Sequence, residues 1–184
     1  DFLGFIFYEK SHRHVLPEEV RGLTKHVQRA KTVGVFVDAP LDEVNAAADF
    51  CSLDFVQLHG HESAAYARAV CRPVIKAFRW GDDFSAEEAN DYPAEIILLD
   101  SFSKDAVGGT GQRFRWREAA EETARLEKPL LVAGGIASGN VREAEEVFRP
   151  YGVDVSGSLE IEKRKSIERI REFMAVVQKR RIPE

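Results

Sequence analysis

The sequence predicts an α/β fold built from repeated strand–helix units, and three observations support that class. Short apolar runs rich in β-branched and aromatic residues recur along the whole chain, as in strands buried on both faces of a parallel sheet. Amphipathic segments with a helical period lie between these runs. Glycine and small polar residues follow nearly every run. The alternation predicts a parallel sheet with right-handed crossovers.

Seven apolar runs are predicted to be strands. Each is four to six residues long, which is the usual length of a buried strand. The predicted strands are residues 3–8, 32–37, 55–59, 74–78, 96–100, 130–133 and 152–155.

Five amphipathic segments are predicted to be helices. In the first, Leu41, Val44 and Ala48 recur at steps of three and four residues, with acidic and amide side chains between them. Asn140 and Ser166 stand where they can cap the last two segments. The predicted helices are residues 41–51, 62–70, 116–126, 141–148 and 166–178.

This rhythm fits both an open doubly wound sheet and a closed barrel. The barrel is favoured because glycine and polar residues cluster at the strand ends, and because no Gly-x-Gly-x-x-Gly element follows the first strand. A barrel of this type needs eight strands, whereas seven are visible. We therefore predict a (β/α)8 TIM-barrel type fold whose first βα unit is missing from this chain. Residues 1–184 would form a single phosphate-binding barrel domain that is N-terminally incomplete.

Composition excludes several classes of protein. The 184 residues carry 26 Lys and Arg against 31 Asp and Glu, a formal net charge of −5, so a general nucleic-acid or membrane-surface binder is not expected. No apolar run approaches the ~20 residues of a membrane span. Cys51 and Cys71 are too few for a disulfide framework, and both are interpreted as packing residues. We predict a reduced, cytoplasmic setting.

Glycine-rich turns after three predicted strands are candidate ligand-binding segments. Gly109 and Gly111 belong to the string Gly-Gly-Thr-Gly-Gln, which is either a flexible surface loop or a functional segment that forms a lid or a phosphate nest. Gly134 and Gly135 precede the helix that Asn140 opens, an arrangement in which helix amides hold a phosphate.

The last predicted strand ends in a further candidate turn. Asp154, Ser156 and Gly157 lie in or just after that strand. Two adjacent strands that end in small-residue turns match the phosphate site that barrels build after their last two strands.

Three side chains at strand ends are candidates for chemistry. Asp100 ends an apolar strand, where a carboxylate points into a barrel mouth, although a turn-forming role is the alternative. Arg13 follows the first strand and can bind a carboxylate through two parallel hydrogen bonds, although a solvated loop is the alternative. His59 ends the third strand and serves either as a ligand contact or as a structural residue. The histidines and cysteines lack metal-ligand spacing, so we predict no metal.

A set of short strings runs in one order from the first residues to the last predicted strand. The strings are Gly4-Phe5-Ile6-Phe7-Tyr8, Lys10-Ser11-x-Arg13, Val33-Gly34-Val35-Phe36-Val37, Val56-Gln57-Leu58-His59-Gly60, Ile75-Lys76-Ala77, Leu98-Leu99-Asp100-Ser101, Gly108-Gly109-Thr110-Gly111, Ala133-Gly134-Gly135-Ile136, Asn140-Val141 and Val153-Asp154-Val155-Ser156. Together they resemble the phosphoribosylanthranilate isomerase family of tryptophan biosynthesis, and the resemblance covers essentially the whole chain.

The resemblance implies an intramolecular aldose–ketose isomerase that uses no cofactor. It would convert N-(5-phosphoribosyl)anthranilate to 1-(2-carboxyphenylamino)-1-deoxyribulose 5-phosphate by an Amadori rearrangement. Motif matching places Asp100 at the general acid, Arg13 at the anthranilate carboxylate, and Gly134, Gly135 and the Ser156-Gly157 turn at the phosphate. The expected partner is a small phosphorylated substrate, with no nucleic acid and no membrane, and the expected state is a monomer or homodimer.

The chain departs from the family pattern in two places. The general base of the family is a cysteine in a Lys-x-Cys-Gly string on the first strand, and this chain has no such string. The Ser-Ser-Gly of the family reads Ser156-Gly157-Ser158 here. Two alternatives follow: a catalytically incomplete barrel fragment or non-catalytic binder that lacks the base, and another phosphate-binding barrel enzyme, such as a neighbouring synthase of the same pathway.

Overall fold

A computed structural model describes residues 1–81, 83–100 and 111–178. The strands in chain order are β1 (Phe2–Ile6), β2 (Lys31–Phe36), β3 (Phe55–Leu58), β4 (Val74–Arg79), β5 (Ile96–Asp100), β6 (Leu130–Ala133) and β7 (Gly152–Val153). They form one sheet whose order follows the chain from β1 to β7. The registers of β1–β2, β2–β3, β3–β4 and β6–β7 are all parallel, as the sequence predicts.

Helices connect the successive strands. They are α1 (Pro17–Thr24), α2 (Leu41–Phe50), α3 (Ala64–Arg68), α4 (Ala86–Asp91), α5 (Gly111–Thr123), α6 (Val141–Phe148) and α7 (Ile167–Gln178). A 3₁₀ turn (Gly157–Leu159) and a hairpin of β8 (Glu160–Ile161) with β9 (Arg164–Lys165) lie between β7 and α7. The strand–helix alternation confirms the α/β class.

Two compact units can be described separately. The N-terminal unit comprises residues 1–77 and 91–97, and the C-terminal unit comprises residues 78–90 and 98–184. In the N-terminal unit, Val56, Leu58 and Ile75 on the strands and Val44 and Ala48 on α2 are almost completely removed from solvent. Burial of this apolar surface is the main stabilising term for the unit.

The core of the C-terminal unit gathers around α5 and α6. Trp116 and Phe148 pack edge to face with ring centroids 5.8 Å apart, a preferred aromatic geometry. Val132 of β6, Val141 of α6 and Phe173 of α7 join the same buried cluster. Apolar residues of α5, α6 and α7 therefore share one core. Ile167, which the predicted stripe of the last helix includes, is instead 67% exposed.

β1 and Cys71 are more exposed than the sequence suggests. The apolar run at the start of the chain predicts a strand buried on both faces, but Leu3 of β1 is 46% exposed. β1 stands at one end of the sheet order, so among the described strands only β2 pairs with it. Cys51 is buried as expected, and burial raises the pKa of its thiol. Cys71 is exposed, so the packing role expected for it is wrong.

Asp54 joins the amino ends of β2 and β3. Its carboxylate accepts the Thr32 N–H at 2.9 Å, the Thr32 hydroxyl at 3.0 Å and the Lys31 ammonium at 2.9 Å. Burial alone would raise the pKa of Asp54, but the hydrogen bonds from Thr32 and Lys31 outweigh it and hold the pKa below 3.8. The ionised form is therefore the one that the fold stabilises.

Replacing Asp54 with asparagine should cost about 1 kcal/mol of unfolding free energy at neutral pH, since the amide loses the charged bond to Lys31. Because the folded-state pKa is lowered, this contribution is present above the unfolded pKa and is lost as the pH falls through the folded value. Urea unfolding of wild type and Asp54→Asn at about pH 7 and about pH 3 measures it. An equal difference at both pH values would contradict the prediction.

Candidate active site

Arg13 lies in a tight turn beyond the carboxyl end of β1. The turn is closed by hydrogen bonds from the Ser11 N–H to the Tyr8 carbonyl at 2.9 Å and from the His14 N–H to the Ser11 carbonyl at 3.1 Å. The Arg13 N–H donates to the Ser11 hydroxyl at 3.1 Å, and the Arg13 side chain is half-buried. These bonds fix the backbone of Arg13 at the strand end that the sequence indicates.

His59 directly follows the last residue of β3. Its N–H donates to the Phe36 carbonyl of β2 at 2.9 Å, and its Nδ1 lies 2.9 Å from the side-chain nitrogen of Gln57. An amide nitrogen donates, so Nδ1 accepts in the tautomer whose ring proton lies on Nε2. That tautomer carries its N–H donor on the nitrogen that faces away from Gln57.

A polar cluster that sequence reasoning missed follows His59, with a buried ion pair and an exposed partner pair, Asp38 and His61. Glu62 and Lys76 pair at 2.8 Å with side chains that are 2% and 5% exposed. The carboxylate of Asp38 accepts the His61 N–H at 2.6 Å and contacts the His61 ring at 3.2 Å. The backbone bond, then the side-chain bond, from His61 lowers the pKa of Asp38. A lysine inside the apolar run 74–78 is the signal from which this cluster could have been found.

Asp100 is the last residue of β5, in the C-terminal unit. The four residues before it are buried, whereas Asp100 itself is half-buried. Its backbone carbonyl accepts the Trp80 N–H at 2.9 Å, which holds the strand end in place. The carboxylate thus stands at the carboxyl end of its strand, as predicted.

The turn after β6 is shaped by glycine and by an asparagine side chain. Gly134 and Gly135 have φ values of 91° and 70°, which side-chain-bearing residues rarely adopt. Asn140 occupies the position before α6, but its side chain does not cap the helix. Instead it accepts the Ala137 N–H at 2.8 Å and donates to the Gly135 carbonyl at 3.0 Å. The expected cap therefore stabilises the glycine turn instead.

The turn after β7 lies against the turn after β6. The Ser158 hydroxyl donates to the Ile136 carbonyl at 2.6 Å. The Lys165 ammonium donates to the Ser156 carbonyl and the Ser156 hydroxyl, both at 2.9 Å, and pairs with Glu160 at 2.8 Å. Lys165 is a cation at this turn that sequence reasoning did not single out.

The predicted site residues are divided between the two units. Arg13 and His59 belong to the N-terminal unit, and the C-terminal unit holds Asp100, Gly134, Gly135, Asp154, Ser156 and Gly157. Asp154 is exposed, and its N–H donates to the Val132 carbonyl at 2.9 Å, which extends the β6–β7 pairing. Gly111 is the first residue of α5. Gly109 lies outside the described residues.

The described residues contain neither a cluster of metal ligands nor a helix suited to cross a membrane. Within residues 1–81, 83–100 and 111–178, no three His, Cys, Asp or Glu side chains are grouped to hold a metal ion. None of the helices in those ranges has both the length and the apolar character to cross a membrane.

A family model and a relative of known name both match this chain over most of its length. A sequence model of the family described as N-(5'-phosphoribosyl)anthranilate (PRA) isomerase matches residues 1–176. The N-(5'-phosphoribosyl)anthranilate isomerase of Geobacter sulfurreducens is 46% identical over 176 residues, which are 95% of this chain and 86% of that protein.

Solved structures give the same result. The crystal structure of phosphoribosyl anthranilate isomerase from Thermotoga maritima is 33% identical with a TM-score of 0.85, over 97% of this chain and 88% of that one. A phosphoribosyl anthranilate isomerase in complex with reduced 1-(o-carboxyphenylamino)-1-deoxyribulose 5-phosphate is 31% identical with a TM-score of 0.83, over 97% and 88% of the two chains.

Proposed function

The chain belongs to the N-(5'-phosphoribosyl)anthranilate isomerase family, and from this premise we propose how its residues carry the reaction. It is an isomerase of tryptophan biosynthesis that acts on N-(5'-phosphoribosyl)anthranilate. One observation supports the residue assignment best. In the C-terminal unit, a half-buried carboxylate ends β5, and the small-residue turns after β6 and β7 are hydrogen-bonded to each other.

Asp100 is proposed as the general acid. It protonates the furanose ring oxygen, so the C1–O bond breaks and the ring opens to a protonated Schiff base. A general base then removes the C2 proton, the C2–H electron pair forms the C1=C2 double bond, and the C1=N π electrons return to the nitrogen. The resulting enolamine tautomerises to the aminoketone. Substrate and product are isomers, so no proton or electron is gained or lost overall. An intramolecular aldose–ketose isomerisation without a cofactor is therefore expected.

The glycine turns are proposed to bind the substrate phosphate. Gly134 and Gly135 adopt left-handed conformations that turn the backbone before α6, where helix amides favour an anion. Ser156 and Gly157 supply the second turn, and the Lys165 ammonium beside Ser156 adds positive charge. Gly109, Gly111 and Asp154 remain proposed substrate contacts on the family pattern.

Arg13 is proposed to bind the anthranilate carboxylate, and His59 to contact the same end of the substrate. A guanidinium matches a carboxylate with two parallel hydrogen bonds, and the half-buried setting of Arg13 strengthens them. In the tautomer that is protonated on Nε2, His59 presents an N–H donor to the substrate.

Arg13→Met should therefore weaken binding of the reduced product analogue, reduced 1-(o-carboxyphenylamino)-1-deoxyribulose 5-phosphate, by about 10–100-fold. The reason is that charged hydrogen bonds contribute about 1.5–3 kcal/mol. Isothermal titration calorimetry measures the affinity. Arg29→Met, which removes an exposed arginine beyond α1, is the matched control and should bind as wild type does. Equal affinity of wild type and Arg13→Met would remove Arg13 from the site.

The general base and the closure of the barrel are further proposals. The sheet described here has seven strands in chain order, whereas a closed barrel of this class has eight. We propose that the gene-encoded protein supplies a further βα unit with the catalytic cysteine of the family. A single domain, a cytoplasmic location, and a monomer or homodimer also remain predictions. One solved relative from Thermotoga maritima is described as dimeric.

The function is tested by turnover of N-(5'-phosphoribosyl)anthranilate, followed by the fluorescence of its anthraniloyl group. Folded, gene-encoded protein should turn over the substrate, and residues 1–184 alone should be slower by about 10²–10⁴-fold if the base lies elsewhere. Absence of turnover by the folded gene-encoded protein would overturn the function and favour a non-catalytic binder. Equal rates for both proteins would place the base within residues 1–184.

A further inference from the structure

The ion pair of Glu62 and Lys76 lies almost fully out of water in the N-terminal unit, with side chains 2% and 5% exposed. Removing two charges from water costs several kcal/mol per ion, and well-packed apolar residues of similar volume often give equal or greater stability. Fold stability alone therefore does not account for a charged pair at this position.

The two side chains hold both sides of one residue, Gly60. The Glu62 carboxylate accepts the Gly60 N–H at 3.0 and 3.2 Å, and the Lys76 ammonium donates to the Gly60 carbonyl at 2.6 Å. The same carboxylate accepts the Asp38 N–H beyond β2 at 2.9 Å, and the same ammonium lies 3.4 Å from the Leu58 carbonyl of β3. The pair thus connects the segments that follow β2 and β3 to the middle of β4.

Gly60 is the residue that sets the direction of the chain after His59. Its N–H belongs to the planar peptide unit between His59 and Gly60, and its carbonyl belongs to the next unit. Fixing both groups fixes the two peptide planes that flank the Cα of Gly60. The plane between His59 and Gly60 also adjoins the Cα of His59, and Lys76 contacts the Leu58 carbonyl of the plane on its other side at 3.4 Å. The pair therefore constrains where the imidazole can lie. Asp38 holds the following His61 N–H at 2.6 Å, which completes the turn.

Tyr92 closes the cluster against water. Its hydroxyl donates to the Glu62 carbonyl at 2.9 Å, and its ring lies 5.7 Å from the Lys76 ammonium. Burial, and then the charge of Glu62, raises the pKa of Tyr92 to about 12, so the hydroxyl remains a neutral donor at physiological pH.

We propose that Glu62 and Lys76 are positioning residues that hold the His59–Gly60–His61 turn in the geometry that ligand binding needs. The proposal rests on the substrate contact proposed for His59. A purely structural pair and a positioning pair predict different outcomes when both charges are removed together. Glu62→Gln/Lys76→Met leaves no unpaired buried charge, so its stability should stay near that of wild type. The glutamine oxygen can still accept one N–H, but the hydrogen bond from Lys76 to the Gly60 carbonyl and the charge on the Gly60 N–H acceptor are lost.

The test compares wild type, the double variant and Lys31→Met. Lys31 forms an exposed ion pair of similar length with Asp54 at the amino ends of β2 and β3, so its loss controls for removal of a charge from the same unit. The double variant should melt within about 5 °C of wild type. Its Gly60 amide and His59 imidazole should shift in ligand-free NMR spectra. Its affinity for reduced 1-(o-carboxyphenylamino)-1-deoxyribulose 5-phosphate should fall roughly tenfold or more. Lys31→Met should match wild type in the NMR spectra of Gly60 and His59 and in affinity for this compound.

The outcomes separate this inference from the proposed function. Wild-type spectra for His59 and Gly60 in the folded double variant would overturn the positioning role, as would equal affinity of wild type and double variant for the analogue. Failure of wild type to bind the analogue would overturn the substrate assignment and leave the NMR comparison to decide the positioning role. Where the double variant does not fold, Glu62→Asp takes its place, because it keeps the charge opposite Lys76 but shortens the side chain and draws the carboxylate away from the Gly60 N–H, and the same spectra decide.

Discussion

Replacing Asp100 with asparagine should lower turnover of N-(5'-phosphoribosyl)anthranilate by the gene-encoded protein about 10²–10⁴-fold, the usual contribution of a general acid. Asparagine has nearly the same size and can accept the same hydrogen bonds, but it has no proton to give to the ring oxygen. Because the backbone of Asp100 is held by the Trp80 N–H at 2.9 Å, the side chain at this strand end should change without moving the strand.

The loss should appear in kcat more than in binding. A group that acts only in the proton-transfer step lowers kcat and kcat/KM together, while affinity for the reduced product analogue changes little. Asp91→Asn, at the exposed end of α4, is the matched control and should retain wild-type kinetics. A folded Asp100→Asn enzyme with a rate within tenfold of wild type would exclude Asp100 as the acid.

Much of the fold could be predicted because its strands are continuous apolar runs. The bounds of β5, β6 and α6 coincide with the predicted ones, since polar residues, proline or glycine mark the ends of each run. α1 was not predicted because Val20 is its only buried residue and its other large apolar residue, Leu23, is exposed. α4 was missed because only small residues, Ala86 and Ala89, face the core. Short helices with so little apolar surface have no clear period in the sequence.

The candidate site could be predicted in part for a similar reason. Glycine turns and a carboxylate at a strand end are local patterns, so Gly134, Gly135 and Asp100 were found where the structure has them. The Glu62–Lys76 pair is different, because its partners are 14 residues apart and meet only when β3 and β4 lie side by side. No single window of the sequence contains that contact.

Replacing Gly60 with alanine should lower the unfolding free energy by about 2 kcal/mol, or roughly 4–8 °C in Tm, as overpacking of a tight site does. A Cβ at Gly60 would overlap the Asp38 carboxylate and lie 2.8 Å from the Asp38 backbone nitrogen. That nitrogen cannot move away freely, because its N–H is bonded to Glu62 and Asp38 already has a φ of 48°. The turn must therefore shift, and the analogue should bind more weakly to Gly60→Ala for the same reason.

Gly22→Ala is the matched control with an effect of opposite sign. Gly22 lies on the exposed side of α1, and a Cβ there would meet nothing within 4 Å. Alanine in a helix interior is favoured over glycine by about 1 kcal/mol, so this variant should be more stable than wild type. Thermal unfolding of both variants measures the contrast. If Gly60→Ala melted at or above the wild-type temperature, the turn would be able to accept a side chain, and the close approach of Gly60 to Asp38 would not be a constraint on the site.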